Sequence, residues 1–467
     1  MVNRFTSSYP RCFTRILKGL TVGMHTIERV TGSIAARVPL SSERVVEALQ
    51  EARRRTYALV SSVSDEDLER VHSSLMSPLV WDLAHIAAYE DLWLVHRYGE
   101  RPLLHDELAA MYDAFETPRA VRGDLPLLGP AEAREYLDQV RARTLEVIDE
   151  RGVGDGTLHE MVLRHEHQHD ETMLQTLMLA RLPGYELPGR RAIPEPTSPA
   201  ETGLDMVEVP AGECTIGAPD AGFAYDNERP RHRTDVGGYL IGRTPVTNAS
   251  YLTFVEGGGY EHRDWWSNEG WAWKEENDIS RPGGWTADLR GEWRLGGLEP
   301  LHPDRPVVHV SWFEADAFAR AHGARLPTEV EWEKAATWDE VTDSAHPRAR
   351  RYPWGNRRPA PGQHANLDHR GCGTAPAGAY PDGASPYGCL GMIGDVWEWT
   401  SSGFDGYRGF VAHPYREYSE VFFGGDYRVL RGGSWATRTR VATSTFRNWD
   451  HPQRRQIFSG IRIARSA

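Results

Sequence analysis

The chain has 467 residues, 40% of them apolar and 25% charged, with a formal net charge of −13 at pH 7. That length suggests two or three domains of roughly 150 residues each. The acidic balance offers no footprint for a nucleic-acid partner, and no apolar run approaches the ~20 residues of a membrane span. The 16 Trp and 45 Gly lie mostly in the second half, which points to a loop-rich domain held by aromatic clusters. Cys12, Cys214, Cys372 and Cys389 are far apart and form no C-x-x-C pair. This usage suits a reducing cytoplasm and leaves one bridge open.

Residues 1–40 carry Arg, Lys and Ser but almost no acid. No apolar core followed by a small-residue cleavage site is evident, so they read as a disordered extension, with Met24 an alternative start. From 41 to 182 the pattern is that of a four-helix bundle. Ser41 and Ser42 cap a first helix that runs to about Ser61. Ser77 as N-cap and Pro78 at the first helical position open a second, which runs to about Tyr98 and carries His85 in its most apolar part. A long connection, 99–129, holds Arg119 and Arg122. A third helix spans about Pro130 to Asp149.

The fourth helix, about 158–182, contains Arg164-His165-Glu166-His167-Gln168-His169-Asp170-Glu171. Residues four apart on a helix share a face, so His165 and His169 project together while His167 points the other way. Two imidazoles so placed form a bidentate site for a transition metal. His85, from a facing helix, would complete it inside the bundle. Glu166, Asp170 and Glu171 are expected to be second-layer acceptors or solvated, with at least two of them solvated. A polar helix face with three unrelated histidines, and a hydrogen-bonded core role for His85, stay open at this level.

Residues 183–203 contain five prolines and read as an extended linker. From 204 to 467 short strands alternate with Gly-rich turns. Helices are expected only near Asn248–Val255, Trp312–Ala321 and Thr328–Ala336, an α+β pattern.

This second half carries ordered motifs: IGRTPVTNASYLTFV (241–255), VVHVSWFEADAFARAHGARLPTEVEWEKAA (307–336), RYPWGN (351–356), GMIGDVWEWTSS (391–402), VLRGGSW (429–435) and FSGIRIAR (458–465). Together they resemble the formylglycine-generating-enzyme/sulfatase-modifying domain, which implies a C-type-lectin-like fold. The bundle, with WDLAHI and HEHQHDETML, resembles the DinB family. The two in this order resemble the sulfoxide synthases of ergothioneine biosynthesis.

That resemblance implies Fe(2+) held by His85, His165 and His169. Zinc would suit three imidazoles equally by spacing, so the iron assignment is the family's. It implies hercynine, γ-glutamylcysteine and O2 as small-molecule substrates. Gln168, Tyr418, Asn448 and Trp449 match the hercynine positions, and an aromatic face suits a quaternary ammonium. Arg119 and Arg122 match the pair for the thiol substrate's carboxylates, and Asp450 the residue facing its amine. Tyr415 matches the catalytic tyrosine, a phenol able to supply a proton and an electron. The resemblance further implies that the site lies between the two domains. Competing readings are a selenoneine-type or other related synthase, a formylglycine-generating enzyme, and a lectin-like binding protein without chemistry. Oligomeric state and the preferred thiol are not legible.

Overall fold

The structure is a computed structural model that describes residues 41–195, 202–343, 349–360 and 362–467; the expected N-terminal extension lies outside the described residues. Four helices form the bundle: Ser42–Val60, Leu79–Glu90, Pro130–Arg151 and Thr157–Ala180. Ser41 caps the first, its side chain accepting from the Arg44 amide. Ser77 does not cap the second. Pro78 takes that position without a side-chain hydrogen bond, and the Ser77 hydroxyl instead accepts from Arg122 Nη1 at 2.8 Å. The second helix continues as a π-helix, Asp91–Tyr98. The long connection is not structureless: it contains a short helix, Asp106–Met111, and a 3₁₀ turn, Arg119–Asp124.

The bundle interior is charged as well as apolar. Arg53, Glu90, Arg141 and Glu166, one from each helix, form a closed ring of ion pairs. Burial pushes the Glu90 carboxyl up, but Arg141 and Arg53 more than offset it and hold it down at about 2. Glu166, Asp170 and Glu171 are all buried, which corrects the expectation that two would be solvated. Each meets a partner far away in the chain, which local periodicity does not reveal. The Thr56 hydroxyl lies 2.9 Å from both Glu166 and Asp170.

The second half is built on two small sheets. In one, the strands Met206–Val209 and Ala464–Ser466 flank Tyr239–Gly242, so the first and last strands close the domain on a shared neighbour. In the other the order is Ser459–Gly460, Trp397–Gly403, Arg428–Arg431, Asn448–Asp450. Trp332, Trp399 and Trp435 are fully buried here, as the Trp content led one to expect. A further helix, Asn268–Glu276, has no counterpart in the sequence pattern, because its Trp271 and Trp273 do not follow a helical stripe.

The first part of the proline-rich segment packs against the bundle. Tyr185 and Leu187 are buried in the bundle core, and the Tyr185 hydroxyl donates to the Leu59 carbonyl at 2.8 Å. The histidine helix is fastened to the second half through Glu171, which accepts from Trp397 Nε1, Ser434 Oγ and Thr437 Oγ1, each at 2.7 Å.

Candidate active site

His85, His165 and His169 converge. One ring nitrogen from each lies within 4.8 Å of the others, and the Nε2 atoms of His85 and His165 are 3.1 Å apart. His85 Nδ1 is 2.6 Å from the Tyr112 carbonyl oxygen. A carbonyl can only accept, so Nδ1 carries the proton and Nε2 keeps its lone pair. His169 Nδ1 is fixed in the same way by Asp82 Oδ1 at 2.8 Å, which turns its Nε2 into a second lone pair. Burial, reinforced by the neighbouring imidazoles, holds His85 and His165 well below the usual histidine range. Three converging imidazoles, two of them with their tautomers fixed by a hydrogen bond, suit a divalent transition metal. His167 stands apart, buried on the opposite face near Asp170.

An aromatic wall faces the imidazoles. Tyr89 lies flat on the His165 ring, centroids 3.6 Å apart at 9°, and its hydroxyl is 3.0 Å from that of Tyr415. Trp93 stacks on Tyr415 at 4.8 Å. Tyr418 stacks on Tyr225 at 4.3 Å and meets Trp449 edge-on at 6.1 Å. The Tyr225 hydroxyl donates to Gln168 Oε1 at 2.9 Å, so the Gln168 NH2 group is left to point elsewhere. Burial raises Tyr415 and Tyr418 well above the ordinary phenol range, which keeps both neutral.

Tyr415 and Tyr418 come from a loop, and its footing is polar. Ser419 Oγ donates to Asp226 Oδ1 at 2.5 Å and accepts from Asn227 Nδ2 at 2.9 Å, while the His413 amide reaches Asp226 Oδ2 at 3.3 Å. Arg447 ties the Asn227 carbonyl to Glu329. Trp449 pairs with Val429 across adjacent strands and stacks on Phe404 at 4.0 Å.

The other expected residues lie further out. Arg122 is buried, its guanidinium donating to Thr117 O and Ser77 Oγ at 2.8 Å and to Ala114 O at 3.3 Å. It lies 3.5 Å over Trp81, which in turn stacks on His85 at 4.6 Å. Burial, with the charge of Arg119 alongside, lowers Arg122 to about 9. Arg119 is exposed on the same turn. Asp450 accepts from Gln456 Nε2 at 3.3 Å, and Asn448 Oδ1 accepts from the Trp449 amide at 2.9 Å. Asp82, Tyr89 and Tyr225 were not singled out from the sequence. Asp82 and Tyr89 sit three before and four after His85, the spacing of a shared helix face; Tyr225 gives no local signal.

Residues 48–173 match the DinB superfamily, and residues 193–467 match the sulfatase-modifying factor enzyme 1-like domain. The formylglycine-generating enzyme of Bos taurus is 33% identical over 248 residues, 48% of this chain and 62% of that protein. That likeness covers about half of the chain. The hercynine oxygenase of Mycobacterium tuberculosis is 47% identical over 427 residues, 91% of this chain and 99% of that one. The hercynine oxygenase of Mycolicibacterium thermoresistibile is 48% identical over 425 residues, 89% of this chain and 93% of that one. Similar to these proteins through both halves and over nearly their whole length, the chain belongs to the hercynine oxygenase family.

Proposed function

We propose that the chain joins the sulfur of γ-glutamylcysteine to C2 of the hercynine imidazole and oxidises that sulfur to a sulfoxide, using iron(II) and O2. The balance is one thiol S–H, one imidazole C–H and one O2 giving a thioether sulfoxide and one water. The observation that carries this reading is the meeting of three imidazoles with a partly buried phenol, Tyr415, from the other half of the chain, through Tyr89. His85, His165 and His169 would hold the iron, which when bound supplies redox chemistry with O2 and open coordination positions. The reading is supported further by the relatives, which are named for hercynine.

The residues divide the work by chemistry. Trp449 and Tyr418 offer aromatic faces to the trimethylammonium, which cannot donate a hydrogen bond. The Gln168 NH2 group, its oxygen already taken by Tyr225, donates toward a hercynine acceptor. Arg119 takes a carboxylate of γ-glutamylcysteine. Arg122 contributes positive charge and holds Trp81 against His85. Asp450 faces the substrate amine, and Asn448 supports the hercynine side. Tyr415 gives a proton in the oxidative step. A cytoplasmic location belongs to the same proposal, in keeping with the three free cysteines Cys214, Cys372 and Cys389. No described helix is long and apolar enough to cross a membrane.

Aerobic incubation of iron(II)-loaded protein with hercynine and, in turn, γ-glutamylcysteine, cysteine and a selenium donor, read by mass spectrometry, tests the reading. The γ-glutamylcysteine sulfoxide adduct should dominate. Absence of an adduct with any thiol contradicts it. Tyr415→Phe should divert product from the sulfoxide toward oxidised thiol, and an unchanged ratio removes the role given to Tyr415.

A further inference from the structure

The second bundle helix presents His85, Tyr89 and Trp93 at successive four-residue steps, hence along one face. Each does something different. His85 joins the imidazole cluster. Tyr89 lies parallel on the His165 ring and reaches the Tyr415 hydroxyl at 3.0 Å. Trp93, within the π-helical turn, stacks on the Tyr415 ring at 4.8 Å and 29°. A loop residue of the second half is thus gripped, ring and hydroxyl, by the helix that also carries an imidazole of the cluster. π-Helical turns re-aim side chains relative to a regular helix and recur at functional sites.

Two phenols in contact share one hydrogen bond, and each has one hydrogen. If Tyr415 donated to Tyr89, its only hydrogen would face away from the reacting groups. In the parallel stack at 9° the His165 nitrogens lie in the plane of their own ring, so His165 gives the Tyr89 hydroxyl no in-plane acceptor. We propose that Tyr89 is a positioning residue for Tyr415: it donates to the Tyr415 oxygen, leaving the Tyr415 hydrogen free to face the substrates. The donated bond also supports the phenolate oxygen once the proton has gone. This inference rests on the proton-donating role given to Tyr415 above. It adds that the balance between sulfoxide formation and simple thiol oxidation is set partly from the bundle side.

Tyr89→Phe keeps the ring on His165 and removes the hydroxyl alone. Three readings on this variant test the idea. The ratio of sulfoxide to oxidised thiol should fall about tenfold, on the scale of one hydrogen bond, while the KM for hercynine stays within about twofold. In metal-free protein carrying 3-fluorotyrosine at position 415, the 19F signal should move when Tyr89 becomes Phe. The Tyr89→Phe/Tyr415→Phe double variant should be no worse than Tyr415→Phe, since the first residue acts through the second. An unmoved 19F signal, an unchanged product ratio, or additive losses in the double variant would each overturn the inference. If Tyr415→Phe shifts the ratio and Tyr89→Phe does not, the inference falls while the proposed function stands. If Tyr415→Phe shifts nothing, both fall.

Discussion

The imidazole side of the site stands on four helices braced by buried ion pairs, whereas the tyrosine side hangs from a loop footed on Asp226. On the first side every fixing group is close and buried. Asp82 and the Tyr112 carbonyl set two tautomers, and Glu166, on the helix of His165 and His169, is locked to Arg53 and Arg141. On the second side Tyr415 and Tyr418 depend on hydrogen bonds from Ser419 and the His413 amide to one carboxylate, and on rings packed against each other. A metal centre needs its donors fixed before anything binds, while substrates of unequal shape are better met by groups on an adjustable loop. The seam between the sides is tied by Glu171, the Gln168–Tyr225 bond and the Tyr89–Tyr415 pair.

If that contrast is right, edits on the braced side should cost more than edits on the loop side. Glu166→Ala leaves two buried guanidinium groups, Arg53 and Arg141, to share Glu90 alone and should destabilise the fold by about 3–5 kcal/mol in denaturant unfolding; a loss under about 1 kcal/mol would show that the ring of ion pairs does not brace the bundle.

Acid should attack the same side. His159, at the start of the histidine helix, is buried edge-on against Tyr98. Burial, only partly opposed by Asp155 and Glu90, lowers it from 6.5 to about 4. Between those values the unfolded chain binds a proton that the folded one refuses. Stability is therefore intact above pH 6.5 and falls as pH drops toward about 4, by on the order of 3 kcal/mol from this group. His159→Phe should remove that part of the slope in unfolding curves taken at stepped pH. A slope identical to wild type would place the titration elsewhere.

Asp82→Ala frees the His169 ring and should weaken iron(II) binding by about 10–100-fold in anaerobic titration, with little change in fold stability elsewhere in the bundle. Unchanged affinity would mean that Asp82 does not orient His169. Smallest of all, Ser419→Ala removes two hydrogen bonds under the tyrosine loop, one to Asp226 and one from Asn227. It should cost about 1–3 kcal/mol and raise the KM for hercynine while leaving metal affinity alone. A change in metal affinity from Ser419→Ala would erase the distinction between the two sides.

The helical side was largely legible because its signal is local. His165 and His169 are four apart, and a lone histidine in the apolar second helix is a natural third member. The resemblance in the second half supplied Tyr415, Tyr418 and Trp449, which composition would have left among many aromatics. What escaped was pairing at long range. Glu166 reads as a solvated residue until Arg53, 113 positions earlier, is seen beside it. Tyr89 reads as one more aromatic on an apolar helix until Tyr415, 326 positions later, arrives at its hydroxyl. Ser77 has the composition of a cap, but Arg122 claims its hydroxyl. In each case the deciding term is the satisfaction of a buried polar group by a partner that periodicity cannot predict.

The central claim is that one centre is assembled from both halves: three imidazoles from the bundle and an aromatic receptor from the second domain. Diffraction from anaerobic crystals grown with iron(II) and hercynine, with anomalous data at the iron edge, tests it most directly. The account predicts a single strong peak bounded by His85, His165 and His169, with the hercynine trimethylammonium against Trp449 and Tyr418. Iron at another site, or hercynine bound away from those two rings, would contradict it.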